Sequence, residues 1–373
     1  VVVLTRRLVA IDATNPSLVP GGAGERELAE TIAGWLGERG FEVRLVGADP
    51  ARPSVFARRP GAGGGRTLLL AGHLDTVGGT GAGTDGAPGV VADRIVGRGA
   101  YDMAGGLAAA MVAAAAAPRD LRGDVLLAFA ADEEFGSVGM EELLAELASG
   151  PGPRPDYAVV LEPTDLEVTL AHRGFAWFRV EYDGVSAHGS QPGLGVDAID
   201  RAVDGLVALR ELGAEIGARP RHPLLDTGSV RVATIEGGTD AATVADRCVL
   251  VVERRTLPGE ADPAAELERV LAPSRPARVT TIVSRPAMEA DADARIVRTV
   301  LEAVERVTGA PAVRRGDPWW TDAGLIADAG IPAVLVGPAG GGAHADEEWV
   351  TTGSLRELVD VIEAVILDIC GPG

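Results

Sequence analysis

The chain contains no lysine; its basic residues are all arginine, and Lys and Arg together number 34. That absence excludes Schiff-base and Ser-Lys chemistry, which need an amine able to lose its proton. Cysteine is nearly as scarce. The two present, Cys248 and Cys370, lie far apart without the spacing of a metal knuckle, and suit core positions in a reducing cytosol. Long apolar runs are missing as well. The stretch GGLAAAMVAAAAA at 105–117 is mostly alanine and shorter than the ~20 residues a bilayer span needs. The amino-terminal VVVLTRRLVAID carries arginine after its first apolar residues, the reverse of a secretory signal. The expectation is a cytoplasmic protein. Positive charge is in deficit: 54 acidic residues against 34 basic ones leave a net charge of -20, which argues against nucleic acid or an anionic membrane as partner. There is also no GxSxG nucleophile elbow.

What is present reads as an α/β protein. With 373 residues, 46% of them hydrophobic, the chain can bury a sizeable core and has room for roughly two domains at ~150 residues each. Residues 25–39 have helical periodicity, with Leu28, Ile32, Trp35 and Leu36 on one face and Gly40 as a stop. Phe41, Val43 and Leu45 then alternate as a strand. Four unbroken apolar runs, TLLLAG (67–72), VLLAFA (125–130), YAVVLE (157–162) and AVLVG (333–337), suit a parallel sheet covered on both faces. Helical stretches at 103–117 and 138–148 separate the early strands. After His172 the order changes to strand (175–183), helix (196–212), strand (228–235), strand (246–255), helix (262–272) and strand (277–283), a split βαβ sandwich inserted into the α/β layer. A final helix at 354–369 returns to the first domain. The expected division is a catalytic domain at 1–173 and 285–373, with the insertion at 174–284.

In such a sheet, ligands gather outside the carboxyl ends of the strands, and there this chain places potential metal ligands. TLLLAG runs into His73 and Asp75, VLLAFA into Asp132, Glu133 and Glu134, and YAVVL into Glu162. Asp102 lies in GRGAYDMAGG before the alanine-rich helix, and His344 in GGGAHADEEW after AVLVG. Imidazole and carboxylate without thiolate suit zinc, with cobalt or manganese as substitutes. Two His and several acids exceed the roughly three protein ligands of one catalytic zinc. A pair of metals ~3.5–4 Å apart, bridged by a carboxylate and a water, would use the surplus and offset the clustered negative charge.

The motifs GHLDTV, GRGAYDMAGG, ADEEFG, LEPT, SAHGSQPGLGVDAI, ERRTLPGE and GGAHADEEW resemble, in order, those of the dinuclear zinc M20 peptidase family, which includes acetylornithine deacetylase, succinyl-diaminopimelate desuccinylase and glutamate carboxypeptidase. The resemblance covers nearly the whole chain. It implies a zinc peptidase-like catalytic domain, a mostly parallel sheet flanked by helices, carrying an inserted α+β ferredoxin-like lid or dimerisation domain. It also implies two Zn2+ per subunit: His73 and Glu162 on one, Glu134 and His344 on the other, with Asp102 between them. Asp75 would orient His73, and Glu133 would be the general base that activates the bridging water. His188, in SAHGS, would reach the neighbouring subunit's site and stabilise the oxyanion. Arg255 would grip a substrate carboxylate, a task suited to a bidentate guanidinium, and Gly341, between Gly340 and Gly342, would let backbone approach the substrate. The implied partner is an N-acyl amino acid or short peptide with a free carboxylate, handled by a homodimer formed through 174–284. Glu162, where aminopeptidase members tend to have Asp, favours a deacylase or carboxypeptidase.

The departures from the pattern are Ala104, where the family often has Lys, and Ala242 and Ala245, where it commonly has Asn and Pro. The Ala242 departure favours a relative with altered acyl or side-chain preference. An aminopeptidase or dipeptidase of the same family, or a non-catalytic dimer binding metal or a small acid, are the rival readings. GAGTDG at 81–86 fits GxGxxG, but no amphipathic helix opens from it. GAGGGRT at 61–67 lacks the lysine of a phosphate loop. His172 is read as shaping a hinge, His222 as a loop residue and Asp132 as shaping its turn.

Overall fold

A computed structural model describes residues 1–79, 89–150 and 152–371; the GAGTDG segment lies outside the described residues. The chain divides into two compact units. The first comprises Val1–Leu170, Ala290–Arg315 and Thr321–Gly373; the second is Ala171–Glu289 with Gly316–Trp320.

In the first unit the four apolar runs form the centre of a sheet. Val125–Ala130, Leu68–His73, Tyr157–Val160 and Ala333–Leu335 lie side by side, all parallel. Every residue of Leu68–His73 and of Val125–Ala130 is buried, as runs without polar alternation require. The sheet is mixed, because antiparallel strands flank this centre. Ser54–Arg59 and then Glu42–Val46 extend one side, and Val168–His172 pairs with Ala333–Leu335 on the other.

The alanine-rich stretch becomes the helix Gly105–Ala116, buried on nearly all sides and packed against the carboxyl-terminal helix Thr352–Cys370. Small side chains permit this approach. A Cβ at Gly106 would sit 2.2 Å from the Leu161 carbonyl oxygen, so only glycine lets the helix lie this near the sheet. Among the described residues no helix is long and apolar enough to cross a membrane.

The second unit is an antiparallel sheet in the order Ser229–Gly237, Arg247–Thr256, Gly174–Asp183, Arg278–Arg285. The helices Ala198–Gly217 and Pro263–Leu271 close its apolar face over Phe178, Val180, Tyr182, Leu250 and Val252. This is the split βαβ arrangement read from the pattern. The side chain of Asp197 caps the longer helix, accepting from the N–H groups of Ile199 and Asp200.

Candidate metal centre

The parallel strands of the first unit deliver the ligating residues to one edge. His73 ends its strand, buried, with Nε2 2.9 Å from Asp102 Oδ1. Its Nδ1 lies 2.9 Å from the backbone oxygen of Asp75 and 3.6 Å from Oδ1 of that carboxylate. The other oxygen of Asp102, Oδ2, is 3.4 Å from Nε2 of His344. That same nitrogen stands 3.0 Å from Glu134 Oε2. Asp102 thus presents one oxygen to each imidazole. The ligating atoms of His73, Asp102 and Glu134 all lie within 4.8 Å of one another.

Glu162 is buried beside this group, close enough that the charges of His73, Asp102 and Glu134 act on it. Among the described residues its Oε1 has no hydrogen-bond partner. A buried carboxylate oxygen left without a donor is costly, and a cation held by the surrounding acids and imidazoles would satisfy it. Burial also pushes Glu133, Glu162 and Glu134 above the usual carboxylate range, Glu133 and Glu162 the furthest, and the neighbouring acids add to the shift. Asp102 goes the other way: against its own burial, hydrogen bonds from His344 and His73 hold it well below that range. Bonds to Asp102 and Glu134 push His344 up to about 10. Metal-free, the site stores protons on its imidazoles where a cation could replace them.

Asp75 occupies the floor. Its Oδ1 accepts from the backbone N–H of Glu133 at 2.9 Å and its Oδ2 from that of Glu134 at 3.1 Å. Neighbours in sequence, Glu133 and Glu134 are therefore anchored on the same carboxylate. Asp132 folds its turn with φ 67, its carbonyl accepting from the N–H of Gly136. Its carboxylate is neutralised by Arg52, 2.9 Å away, a partner that a local reading of DEE does not reveal.

His344 lies within the hairpin formed by Gly340–Gly341 and Trp349–Thr351, which pairs onward with Arg94–Val96. A Cβ at Gly340 would meet the Trp349 carbonyl at 2.3 Å, whereas Gly341 rests on the Trp349 indole. Glu348, at the end of the His344 loop, is buried and faces the Asp102 loop. Its Oε1 accepts from Tyr101 N and Asp102 N, each at 2.9 Å; its Oε2 accepts from Gly99 N at 2.9 Å and Arg98 Nη1 at 2.8 Å. Glu348 was not singled out in the sequence, although it lies within GGAHADEEW. Nor was Asp322, a buried acid whose charge acts on Glu133 and Glu162 and which accepts from the Ser137 hydroxyl.

Two further candidates, His188 and Arg255, belong to the second unit. His188 is exposed; its Nδ1 lies 2.8 Å from Ser190 Oγ, and its backbone pairs with Thr243, beside Ala242. Arg255 donates to Glu253 Oε1 at 2.9 Å and lies over the Phe175 ring at 5.3 Å. His172 is buried with Nδ1 on the Arg173 carbonyl, and His222 pairs with Glu289.

The sequence model of Peptidase family M20/M25/M40 matches residues 69–368. The chain is 29% identical over 387 aligned positions to an acetylornithine deacetylase of Myxococcus xanthus, covering 98% of this chain and 96% of that protein. It is 33% identical over 263 positions to a probable carboxypeptidase of Aspergillus terreus, covering 66% of this chain and 59% of that protein. Its fold is similar to that of an M20 family metallo-carboxypeptidase from Sulfolobus solfataricus, with a TM-score of 0.80, 18% identity and 99% of both chains covered.

Proposed function

Because the chain belongs to Peptidase family M20/M25/M40 and is a metal-dependent hydrolase of amide bonds, we propose that it uses two zinc ions to cleave N-acyl amino acids or short peptides that carry a free carboxylate. The observation that carries this reading is Asp102, whose two oxygens face two different imidazoles. His73 and Glu162 would hold one metal, Glu134 and His344 the other, with Asp102 shared. Cobalt or manganese would serve in place of zinc. When bound, such a pair polarises the scissile carbonyl and lowers the pKa of a water.

The remaining steps belong to the chain. Glu133, raised well above the usual carboxylate range by burial, accepts the proton of the attacking water and returns it to the leaving amine. Asp75 holds the backbone from which Glu133 projects. Arg255 receives the substrate carboxylate and His188 the developing oxyanion, in a homodimer built through the second unit. Supporting that dimer, Ser229–Gly237 is an edge strand with Ile235 51% exposed, and Ile199 and Val203 are exposed on the helix beside it. The buried thiols Cys248 and Cys370 are unpaired, which accords with a cytoplasmic location. The substrate class follows the deacetylase and carboxypeptidase relatives, and Ala242 points to an acyl or side-chain preference of its own.

The test is a kinetic panel of N-acetyl, N-succinyl and N-carbamoyl amino acids and dipeptides, with metal content measured alongside. Glu133→Ala should lower turnover by at least ~10²-fold, the scale of a lost general base, and keep its metal. A variant that loses the metal instead refutes the division of labour between Glu133 and Glu134.

A further inference from the structure

A second polar cluster lies beneath the ligands, built from residues that neither hold the metal nor meet the substrate. Its centre is Asn15, fully buried. The Nδ2 of Asn15 donates to Asp75 Oδ2 at 2.8 Å and to Asp132 Oδ1 at 3.1 Å. Its Oδ1 accepts from the Ser17 N–H at 2.8 Å and from Arg52 Nη2 at 3.1 Å. The amide therefore has donors on one side and acceptors on the other, and cannot turn over without opposing like groups. Arg52 is itself fixed: it grips the fully buried Glu25 with Nε at 2.9 Å and Nη2 at 2.6 Å. Asp132 completes the cluster, its N–H donating to Glu25 Oε1 at 3.2 Å.

We infer that Asn15 is a positioning residue for the reaction: it carries the order of the Arg52–Glu25–Asp132 ion cluster to the Asp75 carboxylate, and so sets the backbone that aims Glu133 and Glu134. The path is continuous. Arg52 orients the Asn15 amide, the amide orients Asp75, and the two oxygens of Asp75 each take one N–H of the Glu133–Glu134 pair. Asp132, the first acid of the run, accepts from the same Nδ2, so the amide nitrogen ties Asp132 to Asp75. Without the amide, the Asp75 carboxylate loses the donor that helps to fix its plane, and the two backbone bonds it accepts open more readily. The catalytic assignment of Glu133 and Glu134 rests on the proposed function; the placement of their backbone does not.

The experiment compares Asn15→Ala with wild type in three readouts: amide hydrogen exchange at residues 133 and 134, zinc affinity by chelator competition, and kcat and KM on an amide that the wild type cleaves. The expected result for a folded variant is faster exchange at both amides, zinc binding weaker by ~10–100-fold, kcat reduced at least tenfold and KM within about twofold. Arg52→Ala should show the same pattern and recover in part when guanidinium ion is added, which a merely structural loss would not do. It also decides the matter should Asn15→Ala fail to fold. Wild-type exchange at 133 and 134 in folded Asn15→Ala overturns the inference, as does faster exchange with unaltered zinc affinity and kcat. A wild type that neither binds zinc nor cleaves any amide overturns the proposed function instead, and the exchange readout still decides the role of Asn15.

Discussion

Replacing Glu348 with glutamine sets two opposite effects against each other, so the sign of the outcome is informative. The Glu348 carboxylate accepts four hydrogen bonds, three from the N–H groups of Gly99, Tyr101 and Asp102 and one from Arg98. Glutamine keeps one acceptor oxygen and turns an NH2 group towards the other two donors. Two buried donors then lose their acceptor, at ~1–3 kcal/mol each, or ~2–6 kcal/mol together. Against this, burial and the nearby charge of Asp102 push Glu348 up from its ordinary pKa, and removing the charge relieves that strain in part. The unmade bonds should dominate, leaving a net loss of about 2–4 kcal/mol in denaturant unfolding of the metal-free protein. Because the same carboxylate shapes the loop carrying Asp102 and joins it to the loop of His344, zinc affinity should fall by ~10–100-fold as well. Chelator competition measures the second effect independently of stability. A Glu348→Gln variant as stable as wild type, or more stable, would show that charge repulsion outweighs the backbone bonds and would refute the reasoning.

Two further outcomes follow from the titrating groups. Bonds to Asp102 and Glu134 push His344 up to about 10, so protonated His344 stabilises the metal-free protein fully below its unfolded pKa of ~6.5, and that stability is lost as pH rises through about 10. Zinc must displace the proton; calorimetry at pH 8 in buffers of different ionisation enthalpy should find about one proton or more released per chain, and no release would refute the site. His172 behaves oppositely: burial lowers it to about 4, so the unfolded chain takes up a proton that the native one refuses, and stability falls as pH drops from ~6.5 to 4, by at most about 3 kcal/mol. The stability difference between wild type and His172→Gln should therefore change across that window, and parallel unfolding profiles would contradict it.

The parallel centre of the sheet was legible because strands buried on both faces have no polar alternation to blur them, as TLLLAG and VLLAFA illustrate. The antiparallel flank Ser54–Arg59 was not. SVFARR ends in two arginines that bond to Asp124 and to the carbonyls of Ala114 and Ala115, so its polarity reflects distant partners instead of solvent. The contribution of Gly316–Trp320 to the second unit likewise has no local signature. At the centre, His73, Asp75, Asp102, Glu134 and His344 could be named from the sequence, whereas Glu348 and Asn15 could not. Glu348 accepts from three peptide N–H groups, and peptides leave no trace in side-chain patterns. Asn15 meets Asp75 60 positions away, and Arg52 meets Asp132 across a comparable gap.

Counter-charge separates the acids more sharply than their order in the chain does. Where an acid serves the scaffold, arginine meets it: Arg52 at Asp132 and Glu25, Arg58 at Asp124, Arg98 at Glu348. A guanidinium never gives up its proton near neutrality, so such a pair is permanent. The acids of the centre are met by histidine: Asp102 by His73 and His344, Glu134 by His344. An imidazole can release its proton and turn the same nitrogen towards a metal. In the run Asp132-Glu133-Glu134 the change occurs between adjacent residues. Asp132 has a fixed cation and Glu134 an exchangeable one, while Glu133 is pushed up by burial beside other acids, the environment that its proposed role as proton carrier requires.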